Sequence, residues 1–379
     1  MTMSPNFVTL RQPSQITFGA GCAIPALIAF VRANSIARVF LLTSPSVLAS
    51  ANTLAEALGA ESVTVEIAMG VPPEPTTGCA EKMRASARSF CPDLVLAVGG
   101  GSVLDVAKLV AAIHDRPEPI TSFYGINILA GRRTALVCVP TTAGTGSEVS
   151  PNALLLDEAT IAKKAVISPA LVPDAAFIDP ALMLSLPPAL TATTGIDALT
   201  HCLETYANLA AHPIVDLHSL EGVRLIGAHL TRAIGNGDDL SARSAIALGS
   251  LYGGLGLGPV NTAGVHALAY PLGGEFHLAH GLSIALLLPH VVRFNLPAMP
   301  DRHAALAHAL GTASVETLPD RLEQLIADCG IKAGLSAYGI PRDALPRIVD
   351  AGLGVTRLLK NNPREITRSD ALRIYEAAF

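Results

Sequence analysis

The sequence predicts a parallel α/β domain followed by an all-α domain, and three observations carry that expectation. Through the first half, short apolar runs alternate with helix-like segments. Two polar, glycine-spaced loops follow such runs, where open α/β sheets bind ligands. After about residue 184, strand-like runs give way to Ala- and Leu-rich stretches with 3.6-residue spacing.

The elements follow in order. RVFLLT (38–43) is an apolar, β-branched run that ends in the turn signal SPS. SVTVEIA (62–68) has the same character, DLVLAV (93–98) runs into three glycines, and TALVCV (134–139) ends at Pro140. Between them lie SVLASANTLAEALG and TGCAEKMRASARSF, both with helical spacing. Strands that are apolar throughout, separated by helices, indicate a parallel sheet covered on both faces. LHSLEGVRLIGAHLTRAI and DRLEQLIADCG represent the helical second half. The boundary is placed at SLPPALTAT (185–193), whose two prolines forbid continuation of a helix, giving domains at 1–184 and 185–379. No internal repeat and no low-complexity segment is present.

Composition narrows the function classes. The chain has 379 residues, enough for two domains with a large core, and half of them are hydrophobic while 15% are charged. The net charge of −5 is spread without a basic patch or arm, so nucleic acid is not an expected partner. Six scattered cysteines without a CxxC pair match a reducing compartment. The start, MTMSPNFVTLRQPSQ, lacks a basic segment followed by an apolar block, so no signal peptide is expected. The apolar run IALLLPHVV (284–292) is too short to span a bilayer and is interrupted by Pro289 and His290. The expected location is the cytoplasm, with no membrane partner.

AVGGGSVLDVAKLVAA (97–112) follows a predicted strand and opens a helix. Gly99, Gly100 and Gly101 would let the backbone approach a phosphate, and the helix start would favour an anion. Ser102 and Asp105 fit a capping box. A tight strand-to-helix turn explains the same residues equally well. VPTTAGTGSEVSP (139–151) is the second loop, and its hydroxyls at Thr141, Thr142, Thr145 and Ser147 can line a polar ligand or merely a solvated turn.

GIDALTHCLETY (195–206) places Asp197 and His201 one helical turn apart in an apolar stretch. Burying a carboxylate costs several kcal/mol unless it is paired or binds a metal. An Asp–His ion pair and an Asp near a helix start are the simpler explanations. GVHALAYPLGGEFHLAH (264–280) adds His266 in a helix-like run and His280 after PLGGEFHLA, which is expected to break the helix. One carboxylate with three imidazoles would complete a four-ligand set suited to Fe²⁺ or Zn²⁺. His212, His218, His229, His303 and His308 read as core or surface residues, and His277 is open between a site role and a structural one.

Taken together, these motifs resemble the iron-containing (group III) alcohol dehydrogenase family along essentially the whole chain. GGGSVLDVAK (99–108) is similar to its pyrophosphate loop and PTTAGTGSEVS (140–150) to its second cofactor loop. DEATIAKKAVISPALVPDAAFIDP (157–180) is similar to the segment that places a cofactor-side lysine, which matches Lys163. The metal signature matches at Asp197, His201, His266 and His280. The resemblance implies an N-terminal Rossmann-like domain, a helical C-terminal domain and an interdomain cleft for NAD(P) and metal. It also implies a homodimer and the interconversion of an alcohol with an aldehyde or ketone, with a metal-bound substrate oxygen beside nicotinamide.

Two positions depart from the family pattern. Many members carry a histidine four residues after the third ligand; here it is Tyr270, which with His280 is assigned to the catalytic centre. A phenol donates and accepts protons, but with an ordinary pKa near 10. The strand at 38–43 often ends in an Asp that binds the adenine ribose; here the position is Ser44, which would not repel a 2′-phosphate, so tolerance of NADP(H) is expected. A maleylacetate-type reductase is the second reading, although such relatives typically have altered metal ligands and this chain retains all four. A dehydroquinate synthase-like lyase would need several cations in its pocket, and residues 185–300 hold no Lys and only Arg224, Arg232, Arg243 and Arg293. A non-enzymatic α/β protein would leave the four polar residues without a shared purpose.

Overall fold

The computed structural model describes residues 7–379. The first six residues, part of the stretch read above for a signal peptide, lie outside the described residues. Two compact units emerge. One comprises Arg11–Thr142 with Ser147–Leu184; the other takes Ser185–Phe379 and the short segment Ala143–Gly146.

The α/β unit follows the expected alternation. β1 (Gln15–Phe18), α1 (Ala23–Ala33), β2 (Arg38–Thr43), α2 (Leu48–Ala60), β3 (Thr64–Met69), α3 (Thr77–Phe90), β4 (Leu94–Gly99) and α4 (Gly101–Ile113) come first. β5 (Gly125–Ile126), β6 (Ala135–Pro140), β7 (Asn152–Asp157), β8 (Ala162–Ile167) and β9 (Ala175–Ile178) complete it. Six strands form one parallel sheet in the order β1-β9-β6-β4-β2-β3. Alternate residues of each strand serve opposite faces. Phe40, Leu42, Val95, Ala97, Leu136 and Cys138 pack into one core with α3 and α4. Val39, Leu41, Leu94, Leu96, Val137 and Phe177 pack into another with α1 and α2. The small sheet β5-β8-β7 was not foreseen, because the segment 152–167 has polar residues inside its strands.

The capping box expected from Ser102 and Asp105 does not form. Gly100 is the N-cap of α4 and no side chain caps it. Ser102 Oγ instead donates to the Pro73 carbonyl, and Asp105 turns away to accept from Ser147 Oγ (2.5 Å) and Leu154 N (2.9 Å).

The helical unit contains α5 (Pro188–Tyr206), α6 (Pro213–Gly235), α7 (Leu240–Leu257), α8 (Gly264–Phe276) and α9 (His280–Asn295). It continues through α10 (Pro300–Ala309), α11 (Leu318–Asp328), α12 (Leu345–Leu353), α13 (Thr356–Leu359) and α14 (Arg368–Ala377). The two prolines of SLPPALTAT stand at the very start of α5, where the missing N–H costs nothing. Glycines let α5, α6 and α7 approach closely. A Cβ on Gly222 would lie 2.5 Å from Cys202 Sγ, and one on Gly253 would lie 3.0 Å from His201 Cβ.

The break expected at PLGGEFHLA is found within that stretch, beyond Pro271 and before His280. α8 runs through this proline, which removes one N–H and kinks rather than ends a helix. The stop is His277, left-handed at φ 56°, whose N–H closes onto Leu272 O. α9 likewise continues through Pro289. By length and composition alone the helical stretch His280–Ala298 could cross a membrane, contrary to the shorter run read from sequence; here 56% of its apolar window is buried, as befits a core helix.

Candidate metal centre and cofactor loops

α5 carries Asp197 and His201 on one face, α8 brings His266 at its first turn, and α9 opens with His280. The four side chains converge. Asp197 Oδ1 lies 3.3 Å from His266 Nε2, 3.5 Å from His280 Nε2 and 3.8 Å from His201 Nε2. Asp197, His201 and His266 are all buried, and their ligand atoms lie within 4.8 Å of one another. The rings of His201 and His266 stack with centroids 4.7 Å apart.

These separations are those of donors around one ion. A tetrahedral cation with bonds of about 2.1 Å holds its ligand atoms roughly 3.4 Å apart. The hydrogen-bond inventory points the same way. Asp197 Oδ1 and His266 Nε2 are buried without a hydrogen-bond partner, a costly state for two facing polar atoms unless something binds both. The other ring nitrogens are occupied. His266 Nδ1 donates to Glu204 Oε2 at 2.6 Å, and His201 Nδ1 donates to the Gly144 carbonyl at 3.2 Å. Those bonds fix the tautomer that leaves each Nε2 lone pair facing Asp197. The donor set therefore fits a divalent cation.

Charge in the site is strongly coupled. Burial alone would raise the Asp197 carboxyl, yet the imidazoles of His201, His280 and His266 hold it well below the usual carboxylate range. Burial alone would lower His266, yet Glu204 and Asp197 push it up to about 10. Burial lowers His201. Nε2 of His266 is thus a place where positive charge is wanted, and a proton and a cation compete for it.

Glu204 escaped the sequence reading, although its distance of seven residues from Asp197 puts it on the same helix face. The Gly144 carbonyl carries no sequence signal at all. Tyr270 is half-buried, its ring centroid 6.0 Å from that of His280. His277 is exposed and serves as the C-cap of α8. His212 caps α6 through Nδ1, and buried His303 bonds Met299 O.

In the α/β unit, Gly99 ends β4 and Gly100 and Gly101 open α4. A Cβ on Gly99 would lie 2.7 Å from the Val103 side chain, so this turn admits only glycine. Without a side-chain cap, the first N–H groups of α4 are the kind that receive an anion. The Thr142 side chain packs against Gly100, and Thr141 is buried beside it. Thr145 belongs to the short segment Ala143–Gly146 of the helical unit. Ser147 and Asp105 bond each other, which ties the 147–154 segment to α4. Fully buried Lys108, unremarked in the sequence, extends that tie by donating to Ser150 O, Ser150 Oγ and Asn152 O. Lys163 pairs with Glu74 at 2.8 Å. Ser44, at the carboxyl end of β2, shares a hydrogen bond of 3.0 Å with Ser46.

Comparison with known proteins gives a consistent picture. The family model described as iron-containing alcohol dehydrogenase matches residues 13–180, and the one described as the Fe-containing alcohol dehydrogenase family, C-terminal, matches residues 191–379. The chain is 39% identical over 370 residues to long-chain-alcohol dehydrogenase 1 of Geobacillus thermodenitrificans, covering 94% of this chain and 93% of that protein. It resembles the crystal structure of a 1,3-propanediol oxidoreductase with a TM-score of 0.94 at 30% identity, covering 99% and 100% of the two chains. A sulfoacetaldehyde reductase from Bifidobacterium kashiwanohense, solved in complex with NAD⁺, matches with a TM-score of 0.90 at 25% identity over 98% and 99% of the chains.

Proposed function

From the premise that this chain belongs to the iron-containing alcohol dehydrogenase family, we propose that Asp197, His201, His266 and His280 hold its catalytic cation while the loops at 99–105 and 141–147, with Ser44 and Lys163, receive NAD(P). The chain is an oxidoreductase that interconverts an alcohol with an aldehyde or ketone. The maleylacetate-type and lyase readings are not favoured by these relatives. The observation that carries the site is the convergence of three Nε2 atoms on one buried Asp197 oxygen.

When bound, the iron supplies a Lewis acid for the substrate oxygen, and the dinucleotide supplies or accepts the hydride. The protein's own part is positioning and charge. Asp197 contributes the negative charge that holds the ion. Glu204 and the Gly144 carbonyl keep His266 and His201 in the tautomer that binds it. Tyr270, whose ring lies beside that of His280, is the residue to which we assign the proton given to or taken from the substrate oxygen. The uncapped start of α4 would bind the pyrophosphate.

Zinc in place of iron remains compatible with a set of three imidazoles and one carboxylate. Ser44 supports use of NADP(H), since no carboxylate stands at that position. Six free cysteines support a reducing, cytoplasmic setting, and a homodimer follows the family's habit. The test is His266→Ala. Bound metal, measured by elemental analysis, and aldehyde reduction should both disappear while the helical content is kept. Turnover and metal content equal to wild type would refute the site.

A further inference from the structure

We infer that Glu204 is a positioning residue that completes the charge of the cation site, so that the pair Asp197–Glu204 selects one divalent ion. This rests on the metal reading above and extends it to a residue outside the ligand set. Asp197, His201 and Glu204 occupy one face of α5 at intervals of four and three residues. The Glu204 carboxylate is buried and uses both oxygens on the start of α8. Oε1 accepts from Val265 N and Oε2 from His266 Nδ1, each at 2.6 Å. Ala263, the N-cap of α8, provides no side-chain cap. Glu204 therefore caps α8 from a neighbouring helix and orients its ligand in the same act.

The charge argument is independent of the hydrogen bonds. Two buried carboxylates with neutral imidazole ligands carry a charge of −2. Leaving that charge buried is costly; a proton on His266 Nε2 offsets half of it, and a divalent cation offsets all of it. The protein does not provide one from the surrounding stretch. Residues 185–300 contain no lysine. Arg224 pairs with Glu221, Arg232 with Asp239, and Arg293 with Asp320 and Glu323. Arg243 bonds Thr191 Oγ1, Leu186 O and Gly237 O. One divalent ion brings the set to neutrality.

Glu204→Gln separates the roles. Val265 N–H and His266 Nδ1–H use different oxygens of Glu204; an amide turns its NH₂ toward one of these donors, losing that bond, and it removes one negative charge. Zn²⁺ titrated against a chelator into the metal-free full chain should bind roughly 10–100-fold more weakly than to wild type. In iron-loaded protein the Fe³⁺/Fe²⁺ midpoint potential should shift positive, because the ferric state loses a compensating charge. Asn362→Ala removes the acceptor for Gly264 N, a neutral contact at the same helix start; it should lower Tm without moving the potential. Glu204→Asp keeps the charge but shortens the reach, so affinity should fall while the potential stays at the wild-type value.

Affinity within about threefold of wild type in Glu204→Gln overturns the positioning role, and weaker binding at an unchanged potential overturns the charge-balancing role. If Glu204→Gln does not fold, wild-type affinity in Glu204→Asp overturns the proposal. Wild-type protein that binds no Zn²⁺ defeats the metal site itself, a different failure from either.

Discussion

Gly281→Ala tests whether the metal site depends on how tightly α9 is seated against α5. Gly281 follows His280 directly, and a Cβ there would meet Thr193 O at 2.2 Å and Thr193 C at 2.7 Å. Both are backbone atoms in the first turns of α5, so neither can swing aside as a side chain would. Restoring ordinary contact requires the two helices to separate by about 1 Å. His280 moves with that shift, and 1 Å is roughly half a metal–ligand bond. Overpacking of this kind costs about 1–3 kcal/mol of stability, and a 1 Å misplacement near reacting groups costs on the order of 10²-fold in rate. Isothermal titration with Zn²⁺ on metal-free protein, beside kcat for aldehyde reduction, reads both effects. Gly59→Ala is the control: Gly59 is exposed on α2 with nothing within 4 Å of its would-be Cβ, so the change should stabilise by up to about 1 kcal/mol. Metal affinity and kcat near wild type in Gly281→Ala would refute the claim that this seating holds His280 in place.

Further outcomes follow from the α/β unit. Burial pushes the Glu148 carboxyl up to about 7 from an unfolded value of 4.5. The folded state therefore holds the proton more tightly, and this group's contribution is complete below pH 4.5 and is lost as pH rises through 7. Glu148→Gln should match wild type near pH 4 and exceed it above pH 7 by at most about 3 kcal/mol, or roughly 4 °C in Tm; a Tm difference between variant and wild type that is the same at pH 4 and pH 8 would contradict this. At β2, purified enzyme should use NADPH with a kcat/KM comparable to that for NADH, and Ser44→Asp should depress the NADPH value selectively. A preference of about tenfold for NADH in wild type would argue against the role given to Ser44.

The parallel sheet was legible because its central strands are apolar on both faces, as in LVLAVG and ALVCVP. The helical unit was legible from spacing alone. The ligand face of α5 was half legible: Asp197 and His201 drew attention as polar residues in apolar company, while Glu204 blended with the end of the helix. Its role depends on meeting α8, a long-range contact that local spacing does not encode. The Gly144 carbonyl is invisible for a deeper reason, since every residue carries one. Asp105 was misjudged because a capping box and a bond to a distant loop need the same residue types. Only the position of Ser147 and Leu154 decides between them. The helix break within PLGGEFHLA was legible, although left-handed His277 makes it and Pro271 does not.

The most direct test is crystallography of the iron-loaded protein with data collected at the iron absorption edge. The account predicts a single anomalous peak bounded by Asp197, His201, His266 and His280, each ligand atom about 2.0–2.2 Å away, with Glu204 still bonded to His266. A peak held by other residues, or none between these four side chains in protein shown to contain iron, would contradict it.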